Sequence, residues 1–233
     1  MKQTDHNKIV WADGALTEET ASWLSDCPED MELLGFSYTE LYEDRHGAEV
    51  RERISSLCEN IVRGFGHPLA DLLRTEETDS PVSGIRESLG TEKDFWIVSA
   101  GPLTNIAVLI SCQPELRERL AGIMILGGGA YEGDVLPAVE RSFHADPEAA
   151  LIVIQSGVPL FLIPFEMKQN PLQILLHMED CRWEDAFVDV DLYGAKTRGA
   201  SVIDFHSKIT GRKTNARVLT GDYSGNKLKH GHV

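Results

Sequence analysis

Short apolar runs, rich in β-branched and aromatic residues, recur along this chain with helix-like segments between them: KIVWA (8–12), MELLGFSY (31–38), FWIVSA (95–100), GIMILG (122–127) and PLFLIP (159–164). A run that is apolar throughout, rather than alternating, suits a strand covered on both faces. Between the runs, Val50, Ile54, Leu57 and Ile61 recur every three or four residues and predict one helix over 48–64. Thr104 is placed to cap a helix through NIAVLI. Asp146 followed by Pro147 predicts the start of another, which Gly157 stops. Strand and helix alternating with short connections predict an α/β fold: an open, mostly parallel sheet with helices on both faces and a Rossmann-like core.

That architecture directs the search for a site, because open α/β sheets gather ligands beyond the carboxyl ends of their strands. The residues expected there are Asp13, Ser37 to Thr39, Gly101 to Asn105, Gly127 to Gly129, and Pro164 to Lys168. The 233 residues, 42% of them hydrophobic, suffice for one core, and we expect one domain over 1–220 with a frayed polar tail at 221–233. The stretch 66–84 is the loosest internal segment.

Charge removes some classes of function. With 22 Lys+Arg against 37 Asp+Glu the formal net charge is -15, so a nucleic-acid partner would be repelled over most of the surface. No apolar run is long enough to span a bilayer, and the first residues lack the apolar centre of a signal peptide. The four cysteines stand far apart with no CxxC pair. An intracellular, cytoplasmic protein with reduced thiols is the expectation.

Three stretches carry candidate chemistry. LGGGAY (126–131) follows a strand but has neither the Lys-Ser/Thr of a P-loop nor a dinucleotide fingerprint. A tight turn is its default reading, with carbonyl oxygens available to a cation as the alternative. WADGALTEE (11–19) places Asp13 at a strand end and Glu18 and Glu19 on a first helical turn, where carboxylates commonly complement the macrodipole. The alternative is that Asp13 and Glu18 share a hard divalent cation. Glu140, Ser142 and His144 alternate, and an extended backbone would point all three to one side; they make either an exposed polar edge or a hydrogen-bonding row for a polyhydroxylated ligand.

WIVSAGPLTNIAVLISCQPELRERLAGIMILGGGAY, followed by VERSFHADPEAALIVIQSGVPLFLIP, resembles the inosine-uridine nucleoside hydrolase family. Family members carry GPLTN(I/L)A, a later MGG turn, and E-F-N-x-x-x-DPEAA running into SGVP. Weaker likeness extends to CPEDMELLGF upstream and to DVDLYGAKTRGASVIDFHSKITGRKTNARV downstream. The resemblance implies hydrolysis of the N-glycosidic bond of a ribonucleoside, with calcium held by aspartates to bind the ribose and order the attacking water.

Position by position, the resemblance implies a depleted site. The family's D-x-D-x-x-x-D-D falls on WADGALTE, which puts Trp11 and Thr17 at two aspartates, Asp13 at the metal ligand and base, and Glu18 at a metal ligand. Glu140 matches the family glutamate, Ser142 replaces the asparagine that grips ribose, and Asn105 of GPLTN joins the substrate-binding set. The family's H-D-P-L-A falls on QNPLQ, so Gln169 stands for the histidine and Asn170 for the third metal-binding aspartate. The long helical excursion that precedes this motif in the family is almost absent. The expectation is therefore a family homologue whose calcium site is weakened and whose catalysis is lost or severely impaired. An altered but active ribonucleoside hydrolase is the first alternative. The second is a scaffold whose uncovered apolar surface takes a second copy or a partner protein.

Overall fold

The computed structural model describes residues 8–43, 47–72, 81–91 and 94–228. Its strands are β1 (Lys8–Leu16), β2 (Met31–Glu43), β3 (Ile61–Arg63), β4 (Phe95–Ala100), β5 (Leu120–Leu126), β6 (Leu160–Ile163), β7 (Arg182–Val190), β8 (Ser201–Phe205) and β9 (Ala216–Gly221). The helices are α1 (Glu18–Ser25), α2 (Gly47–Ser55), α3 (Leu69–Leu72), α4 (Pro81–Leu89), α5 (Thr104–Cys112), α6 (Pro114–Arg117), α7 (Arg141–Ala145), α8 (Pro147–Ile154) and α9 (Pro171–Leu176), with a 3₁₀ turn at Phe165–Met167. All nine strands join one sheet in the order β3-β2-β1-β4-β5-β6-β9-β7-β8. The first seven in that order run parallel, and β7 pairs antiparallel with both β8 and β9.

Alternate strand residues feed two cores. Trp11, Phe95, Ile97, Ile123 and Ile125 pack with α4, α5 and α8 on one face. Val10, Ala12, Val98, Met124 and Ile163 pack with α1, α2 and α9 on the other. Each large apolar side chain buried in this way contributes about 1.5–3 kcal/mol. The expected strands, with helices on both faces, are all present.

Four local expectations fail for identifiable reasons. The helix predicted over 48–64 stops at Ser55, and Ile61 enters β3, where it pairs with Phe36 of β2. Leu57 is 38% exposed, so the apparent apolar stripe joins two different elements. Thr104 does not cap α5; its hydroxyl donates instead to Oδ2 of Asp146, 2.5 Å away. The stretch Glu140 to His144 is not extended, because Glu140 caps α7. In the tail, Asp222 accepts from Ser224 and Asn226, Leu228 N donates to the Thr220 carbonyl, and Leu228 is buried; residues 229–233 lie outside the described residues. Within 66–84, α3 and the start of α4 are formed, and 73–80 lie outside the described residues.

Candidate functional site

A cleft of about 650 Å³ opens beyond the carboxyl ends of β1, β4 and β5. Ala15, Ala100 and Leu126 from the strand ends, Thr17, Glu19, Thr20 and Trp23 from α1 and its cap, Asp134, Glu140 to Ser142, Phe165 and Lys168 line it. Its size and its place in the sheet are those of a small-molecule site.

Asp13 is not one of the lining residues. It sits inside β1, three residues before the strand ends, and is 0% exposed. Parallel register sets Ser37 of β2 and Ser99 of β4 directly beside it. The Ser37 hydroxyl donates to Asp13 Oδ1 at 2.5 Å, and the Ser99 hydroxyl approaches Oδ2 at 3.5 Å. From the first turn of α5, Asn105 Nδ2 donates to Oδ1 at 2.8 Å while its own oxygen accepts from Phe65 N. Trp11, two residues before Asp13, donates its indole N–H to the Ser37 oxygen at 3.0 Å. Burial pushes the Asp13 carboxyl up to about 7, although the hydrogen bonds from Ser37, Asn105 and Ser99 each pull it down.

Asp13 and Asn105 are thus brought together, whereas Glu18 and Asn170 are engaged elsewhere. Glu18 lies on the first turn of α1 with its side chain 59% exposed, and its Oε2 pairs with Arg53 at 3.0 Å. With Thr17 as cap, Glu18 and Glu19 stand where carboxylates complement a helix N-terminus. Asn170 caps α9: its Oδ1 accepts from Leu172 N and Gln173 N, and its Nδ2 donates to the Trp23 carbonyl at 3.3 Å. Gln169 donates its amide to the Met167 carbonyl. Among the described residues, no three His, Cys, Asp or Glu side chains are grouped to hold a metal ion.

Glu140 is buried in the cleft wall and accepts three backbone hydrogen bonds. Its oxygens accept from Gly128 N at 3.0 Å, Ser142 N at 2.8 Å and Phe143 N at 3.2 Å. Burial raises its carboxyl above the ordinary range, while these backbone donors pull it down. Ser142 is buried beside it, and His144 is exposed with Nδ1 3.2 Å from the Arg198 carbonyl. In the glycine turn, Gly128 needs its positive φ of 69°, its carbonyl accepts from Phe165 N, and the Gly129 carbonyl accepts from Ser201. Trp23, Thr20, Arg141 and Ser99 escaped sequence reasoning. The first two were legible as i, i+3, i+6 spacing from Thr17 along one helix face; the others depend on register and loop placement that no spacing reveals.

Among the described residues, no helix is long and apolar enough to cross a membrane. Comparison with known proteins agrees with the topology. A pyrimidine-specific ribonucleoside hydrolase, RihA, of Escherichia coli O1:K1 / APEC is 29% identical, with the match covering 58% of this chain and 58% of the relative, so the chain spans well under two thirds of that relative's length. Among solved structures, an inosine-guanosine nucleoside hydrolase superposes with a TM-score of 0.77 at 19% identity, covering 93% of this chain and 95% of the other. A purine-preferring ribonucleoside hydrolase from Gardnerella vaginalis gives 0.68 at 18% identity, covering 92% and 94%. At these identities the superpositions speak to the fold. Residues 42–183, more than half of the chain, match the family described as inosine-uridine preferring nucleoside hydrolase, and the chain belongs to that family.

Proposed function

We propose that this protein keeps the fold and cleft of a ribonucleoside hydrolase and has lost most or all of the catalysis. The observation that carries the reading is the state of Asp13, at the position of the family's metal ligand and base. It is sealed from solvent, and its oxygens are engaged by Ser37, Asn105 and Ser99. Calcium needs six to eight oxygens, several of them ionised. The residues here do not fit that ion: one buried acid already held by Ser37, Ser99 and Asn105, one exposed carboxylate paired with Arg53, and one neutral amide whose oxygen caps α9. Gln169 does not titrate near neutrality and cannot protonate a departing base. Loss of acid–base assistance alone costs about 10²–10⁴-fold.

Ribonucleosides remain the ligand class proposed for the cleft, since Glu140 and Ser142 still line it. The test is release of nucleobase from uridine and inosine with calcium present. We expect the rate to equal that of the Asp13→Ala variant. Calcium-dependent release that Asp13→Ala abolishes would establish the working hydrolase instead.

A further inference from the structure

Among the described residues, β8 ends the sheet on one side and β3 on the other. An edge strand offers unpaired main-chain groups to any chain that reaches it, and folded proteins blunt such edges by shortness, a bulge, Pro or an exposed charge. β3 is blunted by its length of 3 residues. β8 is longer, pairs with β7 without a bulge and contains no Pro. Its one charged residue, Asp204, is buried, with its carboxylate accepting from Ile209 N and Thr210 N.

The free main-chain groups can be assigned. On the far side of β7, Asn215 accepts from Val188 N and donates to the Val188 carbonyl. With those groups turned from β8, the directly opposed Ile203 holds its own N–H and C=O away from β7. Ser201 and Phe205 share that orientation at the two-residue period, and none of the three has another backbone partner among the described residues. Apolar side chains surround the open edge: Val202 is 44% exposed, and Tyr193 and Ile209, in the connections before and after the strand, are 94% and 88% exposed.

Charge says which partner fits. The connections at 192–200 and 206–213 carry Lys196, Arg198, Lys208, Arg212 and Lys213 and no acidic residue, in a chain of formal net charge -15. Arg198 and Arg212 are paired with Glu148 and Asp189. Lys196, Lys208 and Lys213 are exposed and make no ion pair among the described residues. The strand is thus flanked at both ends by a basic island on an acidic protein, which favours a partner carrying carboxylates. A second copy paired through the same edge about a two-fold at Ile203 would instead set Lys208 against Arg198, like charge against like.

We infer that β8 accepts an extended, acidic segment of a partner protein by strand addition. The segment's main chain pairs with Ser201, Ile203 and Phe205, and its carboxylates meet Lys196 and Lys208 at the two ends.

Fluorescence anisotropy of the full chain with labelled peptides of alternating Val and Glu, Val and Gln, or Val and Lys tests this. The Glu peptide is expected to bind roughly tenfold tighter than the Gln peptide, as a few exposed ion pairs imply, and the Lys peptide not to bind. Ile203→Pro removes an N–H that only an added strand uses and is expected to abolish binding. Ile203→Ala, which loses the same packing but keeps the N–H, is expected to retain it. Lys196→Glu combined with Lys208→Glu, both on exposed side chains, is expected to erase the tenfold preference. Equal binding of the Gln or Lys peptide, equal binding by the Pro and Ala variants, or no binding of any peptide overturns the inference. A wild-type dimer in sedimentation that Ile203→Pro dissociates also overturns it, and assigns the edge to a second copy.

Discussion

Asp13 is an acid enclosed by the sheet, away from solvent. Among polar neighbours supplied by two strands and a helix, its carboxyl sits at about 7 rather than at the ordinary 3.8. The folded state therefore binds the proton more tightly than the unfolded chain. Stability from this group is fully present below about pH 4 and is lost as pH rises to about 7, at on the order of 1 kcal/mol per pH unit. Glu140 and Asp146, also raised by burial, act in the same direction. Asp13→Asn is expected to flatten part of this dependence and to gain stability over the wild type at pH 8 relative to pH 5, read as urea midpoints. An unchanged pH profile would place the carboxylate in a solvated setting. Asp13 as a residue of interest was legible in the sequence. Its burial was not, because that depends on Ser37, Ser99 and Asn105 converging from positions 24, 86 and 92 residues away.

At the scale of elements, Asp146 joins three helices. Its carboxylate accepts from Leu69 N of α3, Thr104 Oγ1 of α5 and Ala149 N of α8. The cap of α8 was readable from Asp-Pro, but the reach to the other two helices was not, since a cap signal carries no information about distant donors. Asp146→Ala strands two buried donors and one half-buried donor and is expected to cost roughly 3 kcal/mol in chemical denaturation. A cost near 1 kcal/mol would reduce Asp146 to a simple cap. The strands were legible because a doubly covered strand must be apolar throughout, as Ile97, Val98 and Ile123 to Ile125 are. Over 48–64 the same apolar spacing misleads, because Ile61 belongs to an edge strand beyond the end of α2. Leu57→Lys separates the two readings. On the exposed surface found here it is expected to change stability by no more than about 0.5 kcal/mol, whereas a continuous buried stripe would lose several times that.

For the whole molecule, the parallel order β3-β2-β1-β4-β5-β6-β9 puts the cleft where the alternation of runs predicts it, and the family resemblance covers the same strand ends. What the sequence could not convey is the partners of the three positions for which we propose a lost calcium site: Ser37 and Asn105 for Asp13, Arg53 for Glu18, and the first turn of α9 for Asn170. These partners come from β2, α5, α2 and α9, so the proposed loss of the cation rests on the assembled fold and not on any one segment. Its most direct test is titration of calcium into the full chain at neutral pH, followed by heat of binding. The expected result is a flat titration, identical in the wild type and Asp13→Ala. Saturable heat that Asp13→Ala abolishes would show that these oxygens still hold an ion and would contradict the account.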